Sequence, residues 1–159
     1  MTTPEERAVA LGELTFEVFR VNSSIVRSGD RLVRDLGLTS ARWQVLGSIV
    51  LADRPQPVAW IAREIGGHRQ NVQRIVNDLE RDGLVAFAPN PHHKRAQLVV
   101  VTAPGAEAYR QALAASAPWA LHAADGVSAE RLAEAIATLR AVRQNVDTWD
   151  HESEEADRA

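Results

Sequence analysis

The sequence predicts a mainly α-helical fold carrying one small β-hairpin, an α+β arrangement, and three observations point there. Apolar residues recur at steps of three and four over both ends of the chain, two short helical patterns flank Gly66-Gly67, and two β-branched runs follow them directly. With 159 residues and 45% apolar content the chain can bury one ordinary core, so a single domain over residues 1–159 is expected.

Between Glu5 and about Arg34, Leu11, Leu14, Val18, Val21 and Ile25 form the stripe of a long helix, widened by Phe16 and Phe19. Gly37 stops it. Thr39 is placed to cap a shorter helix carrying Trp43, Leu46, Ile49 and Val50, which breaks at Pro55 and Pro57. Val58, Ile61 and Ile65 mark a two-turn helix that closes on Gly66-Gly67, where glycine suits a sharp turn. From about Arg69 to Arg81 the next helix divides into Val72, Ile75, Val76 and Leu79 on one face and Arg69, Gln70, Gln73, Arg74 and Asn77 on the other, and Asp82-Gly83 ends it. Val85–Ala88 and Gln97–Thr102 read as strands joined by the polar, proline-rich loop 89–95. Helix resumes from about Pro104 to Ala117, breaks around Pro118 and Asp125-Gly126, and returns from Ser128 to Trp149 with Leu132, Ile136, Leu139, Val142, Val146 and Trp149 in one stripe. Residues 150–159 form an acidic tail expected to be solvated or frayed.

Several function classes recede on composition. Without cysteine there is no disulfide framework, thiolate metal site or thiol redox switch. No apolar run approaches the roughly 20 residues of a bilayer span, and Met1 to Glu6 has the wrong charge for a secretory leader, so a cytoplasmic protein with no membrane partner is expected. His68, His92, His93, His122 and His151 lack zinc-ligand spacing, and neither a glycine-rich phosphate loop nor a nucleophile in a recognisable setting is present. The expectation is a protein that is not an enzyme and holds no metal or cofactor. The net charge of −3 hides an uneven distribution: Arg54 to Arg95 holds seven basic residues against four acids, a local +3.

Two short helices about a glycine turn match a helix-turn-helix, in which the first helix braces the second and the second enters the major groove of double-stranded DNA. Arginine pairs bidentately with guanine, and glutamine or asparagine with adenine, so Arg69, Gln70, Asn71, Gln73 and Arg74 are candidate base-reading residues. His68, at the expected N-cap, could meet a phosphate together with the helix N-terminus. Lys94 and Arg95 at the hairpin tip are what a wing needs to reach phosphates or a narrow minor groove. A polar helix face or a basic turn is commonly just solvated; it is their succession that makes a candidate interface. A winged-helix protein-interaction module that has lost DNA binding is the competing reading, and the acid-free polar face favours DNA.

Leu36-Gly37-Leu38-Thr39 before Trp43 and Leu46, Ile61 through Gly66, Val72 through Val85, Asn90-Pro91 before Lys94-Arg95-Ala96, and Val101 through Gly105 stand in an order and spacing that resemble the MarR family, regulators named for multiple antibiotic resistance. The resemblance implies a winged helix-turn-helix lobe over 36–105 and dimerisation helices over 5–34 and 106–149. The terminal stripes hold more apolar surface than so small a lobe can cover, which also favours a homodimer, with Leu11, Leu14, Val18, Leu132, Ile136, Leu139 and Val146 as candidate interface residues. A palindromic operator, repression and a small aromatic or phenolic effector are implied as well, with Phe16, Phe19, Arg20, Arg42 and Trp43 as candidates for the effector crevice. The wing departs from the family pattern. His93 stands where an acid is expected and Lys94 where arginine is common, which leaves Arg95 as the minor-groove candidate without a nearby carboxylate. Protonation of His92 and His93 on mild acidification would make the tip more cationic.

Overall fold

The computed structural model describes residues 3–93 and 95–156. In chain order the elements are α1 (Pro4–Leu32), a 3-10 turn (Arg34–Leu36), α2 (Ser40–Leu51), β1 (Gln56–Pro57), α3 (Val58–Glu64), α4 (Arg69–Arg81), β2 (Val85–Ala88), β3 (Leu98–Val101), α5 (Ala103–Ala123) and α6 (Ala129–Ala156). Length and composition suggested a single domain; the chain divides between Ala117 and Pro118 into two compact units.

In the first unit the apolar positions of five elements meet. Val45 and Leu46 of α2, Ile61 of α3, Val72, Val76 and Leu79 of α4, and Val85 and Val99 of the sheet are all fully buried, with Val33 closing the core beside the end of α1. Each such side chain contributes about 1.5–3 kcal/mol by leaving water, and together they hold the helices on the sheet.

The α1–α2 corner is made by polar contacts that need a close approach. The Ser40 backbone N–H donates to Asp30 Oδ1 at 2.6 Å, and its hydroxyl donates to the Val26 carbonyl at 2.8 Å. Gly29 permits this, since a Cβ there would lie 2.2 Å from Ser40 Oγ. Thr39 caps α2 as its sequence position suggested, accepting from the Arg42 backbone N–H at 3.3 Å.

Helices α3 and α4 end alike. Gly67 N–H bonds Ala62 O at 2.8 Å and Gly66 N–H bonds Arg63 O at 3.3 Å, while Leu84 N–H bonds Leu79 O and Gly83 N–H bonds Glu80 O, both at 2.9 Å. These are Schellman closures, and they put Gly66 and Gly83 at φ 66° and 73°, the left-handed region where a Cβ is strained. The second closure turns the chain from α4 straight into β2.

Three expectations need correction. The hairpin is part of a three-stranded antiparallel sheet in the order β1-β3-β2, with Gln56 opposite Val99 and Pro57 opposite Leu98. The prolines that end α2 leave the chain extended, and Pro57 is tolerated because β1 is an edge strand. Pro118 does not break α5, which continues to Ala123 because alanine-rich sequence on both sides outweighs one lost hydrogen bond. In the second unit α6 does not stop at Trp149 but continues to Ala156, exposed over most of the acidic stretch, since glutamate and alanine are good helix formers; residues 157–159 of the expected tail lie outside the described residues. Among the described residues no helix is long and apolar enough to cross a membrane.

The start of α5 is tied to the α4–β2 turn. Thr102 Oγ1 donates to Gly83 O at 2.7 Å and accepts from Gly105 N–H at 3.1 Å, and a Cβ on Gly105 would stand 1.9 Å from the Leu84 carbonyl oxygen. Gly105→Ala should therefore lower stability by about 1–3 kcal/mol, the usual cost of overpacking where backbone must move. Urea unfolding at fixed protein concentration measures it, and an unchanged midpoint would contradict the contact.

Candidate nucleic-acid interface

Helix α4 is sorted by burial as its sequence suggested. Val72, Ile75, Val76 and Leu79 are buried, which leaves Arg69, Gln70, Asn71 and Arg74 exposed and Gln73 half-buried. His68 occupies the N-cap position, with its carbonyl accepting from Val72 N–H at 3.0 Å, but its imidazole makes no capping bond. The backbone amides of Arg69, Gln70 and Asn71 thus open the helix without intrahelical partners, an arrangement that suits an anion.

The wing stands beside this face. β2 and β3 pair in antiparallel register from Val85 opposite Val101 to Ala88 opposite Leu98. Past them Asn90 organises the tip: its Oδ1 accepts from His92 N–H at 3.0 Å and its carbonyl from His93 N–H at 3.3 Å. Arg95 is exposed just beyond, whereas Lys94 lies outside the described residues.

Arg69, Gln73 and Asn77 of α4, Arg95 and Gln97 of the wing, and Ala59 of α3 line one concavity of about 210 Å³. Of the expected contacts, Arg69, Gln73 and Arg95 are brought together there, while Gln70, Asn71 and Arg74 lie on the exposed surface of the same helix. Asn77 and Gln97 were not among the expected contact residues. Asn77 was readable on the polar face, one turn after Gln73; the part played by Gln97 depends on the strand pairing.

The charge around this surface is one-sided. From Ile65 to Asn77 there is no Asp or Glu. Of the three acids that follow, Asp78, Glu80 and Asp82, two are engaged by arginines: Asp78 accepts from Arg81 at 2.7 Å, and Asp82 pairs with Arg42. Arg69 and Arg95 carry no ion pair among the described residues, so their charge is open to a phosphate or base edge.

The five candidate effector residues have different settings. Phe16 and Phe19 are 68% and 63% exposed on α1, and Arg20 pairs with Glu17 at 3.5 Å on the same helix. Arg42 is already occupied, since besides Asp82 it donates through Nη1 to Gly37 O at 2.9 Å, and Trp43 packs partly buried against the core. Of the candidate interface residues, Leu11 and Val18 are exposed and Leu14 is half-buried on α1; Leu132, Ile136, Leu139 and Val146 are all exposed on α6.

A family model described as MarR family matches residues 36–96. An uncharacterised protein of Mycobacterium tuberculosis is 36% identical over 138 residues, which cover 86% of this chain and 89% of that protein. The transcriptional activatory protein BadR of Rhodopseudomonas palustris is 33% identical over 97 residues, 58% of this chain and 54% of BadR. Among solved structures, a mutant MarR of E. coli complexed with operator DNA matches with a TM-score of 0.72 at 23% identity, covering 89% of this chain and 99% of that one, a likeness of fold.

Proposed function

The chain belongs to the MarR family of transcriptional regulators, and from that premise we propose that it binds a specific DNA duplex as a homodimer, with α4 in the major groove and Arg95 in the adjacent minor groove. The observation that carries this reading is the convergence of Arg69, Gln73 and Arg95 on one concavity beside a helix N-terminus, with no acid on the face between them. Arginine and glutamine there match the guanine and adenine edges, and Arg95 lies where it can follow a phosphate track.

The homodimer rests on the apolar stripes that each unit leaves uncovered: Leu11, Val18 and Phe19 on α1, and Leu132, Ile136 and Leu139 on α6. Stripes of this length favour burial against a second copy, and a two-fold dimer presents two α4 helices to a palindromic operator. In this reading the dimer represses when it occupies its operator and a small aromatic or phenolic effector releases it. Phe16, Phe19 and Arg20 offer exposed aromatic faces and a cation to such a ligand, whereas Arg42 would have to leave Asp82 to take part. The activatory relative BadR makes activation the alternative outcome, decided by where the operator lies relative to the promoter.

Fluorescence anisotropy with duplex from upstream of the protein's own gene, against a scrambled duplex at two salt concentrations, tests the reading. Selective binding that weakens with salt is expected. Arg69→Ala should cost roughly five- to a hundred-fold on the preferred duplex, and Arg95→Ala should weaken binding to all duplexes while lowering the salt slope by about 1. Absence of any selective binding at low salt, also with duplexes drawn from a random library, would sink it. Sedimentation equilibrium tests the homodimer: the protein should run at twice its chain mass and Ile136→Glu should shift it toward monomer with its helical circular dichroism retained. A monomeric parent protein would overturn this part.

A further inference from the structure

Along the exposed face of α4 two side chains are already held by others. Gln73 Nε2 donates to Asn77 Oδ1 at 2.9 Å, and Arg74 Nη2 donates to Asn71 Oδ1 at 3.0 Å. Both acceptors are amide carbonyls about one helical turn away from their donors, on the same side of the helix.

A carboxylate would be the stronger acceptor in either place, since a hydrogen bond to an ionised group is shorter and tighter. Elsewhere several donors of this chain are held by carboxylates. Asp78 holds Arg81, Asp82 holds Arg42, and Glu107 is bonded by Arg110 and Gln111, bonds that keep its carboxyl below the ordinary range. On the polar face of α4 from Arg69 to Asn77 both acceptors are neutral and no carboxylate is present, although neutral acceptors also serve on α1, where Arg27 donates to Ser24 and Arg31 to Ser28. The difference has a physical reason if that face meets phosphates. A carboxylate would be repelled by a polyanion and would compete with it for the arginines, while an amide carbonyl orients a donor without adding charge.

The held glutamine keeps what base reading needs. With one Nε2 hydrogen given to Asn77, Gln73 retains a second N–H and its Oε1, one donor and one acceptor, which match N7 and the N6 amino group on the major-groove edge of adenine. Its rotamer is fixed before DNA arrives, so less side-chain freedom is lost on binding.

We propose that Asn77 is a positioning residue for sequence discrimination: it holds Gln73 in the orientation that reads an adenine, through an uncharged acceptor that the phosphates tolerate. The inference rests on the DNA-binding reading above. It differs from that reading in assigning specificity to a residue that need not touch the DNA.

The test begins with a duplex enriched from a randomised library by the intact protein, followed by single base-pair replacements read by anisotropy. Gln73→Ala should flatten the preference at one A·T position per half-site, by about ten-fold. Asn77→Ala should flatten the preference at that same position several-fold and leave the others in place. The double variant should be no worse there than Gln73→Ala alone. Asn77→Asp restores the acceptor, so it should recover the preference at that position while weakening binding to every duplex. If Asn77→Ala leaves the Gln73 position unchanged, relaxes a different position, or adds fully to Gln73→Ala, then Asn77 does not act through Gln73. Enrichment of no sequence by the intact protein would instead remove the DNA reading itself, and this inference with it.

Discussion

The burial of Val72, Ile75, Val76 and Leu79 fixes α4 about its own axis, and the direction of every polar group on the opposite face follows from that seating. A rotation of the helix by one position would draw Gln73 or Arg74 into a core of methyl groups, where an unpaired polar group costs several kcal/mol on the order of a whole domain's margin of stability. The seat is itself defined from three sides. α3 supplies Ile61 and Ala62, α2 supplies Val45 and Leu46, and the sheet supplies Val85 and Val99. The interface is therefore a by-product of the core: the groups that would meet DNA are those that the packing rejects.

Around that seat the charges are kept apart. Arg69 and Arg95, which face the concavity, carry no ion pair among the described residues, while Asp78 is engaged along α4 and Asp82 by Arg42 of α2. The wing follows the same rule. Its tip is shaped by the amide and carbonyl of Asn90, without a carboxylate beside Arg95. A net charge of −3 over the whole chain is compatible with a cationic working surface because the acids lie outside it.

Much of this was legible in the sequence where the determinants are local. A clean 3.6-residue period, a glycine pair at a turn and a following β-branched pair describe α3, α4 and the hairpin without any knowledge of packing. What could not be read depends on partners distant in sequence. Gln56 and Pro57 become a strand only because Val99 and Leu98 lie alongside. Pro118 was given the weight of a breaker, although its neighbours are among the strongest helix formers. Arg42 looked like a free cation, and its engagement by Asp82, forty residues away, is a tertiary fact. Asn77 was visible on the polar face, but which amide it accepts from is a matter of rotamers rather than of spacing.

The corner between α1 and α2 joins on to the end of α4 through three polar links: Ser40 to the last turns of α1, Arg42 to Gly37, and Arg42 to Asp82. Apolar burial is non-directional, whereas a hydrogen bond weakens steeply when its angle departs from the favoured range. Gly29 is what lets Ser40 come this close, since Ser40 Oγ lies 2.2 Å from where a Cβ would be. The corner therefore locates the end of α1 against the end of α4 by direction as well as by distance, which apolar contact alone does not do.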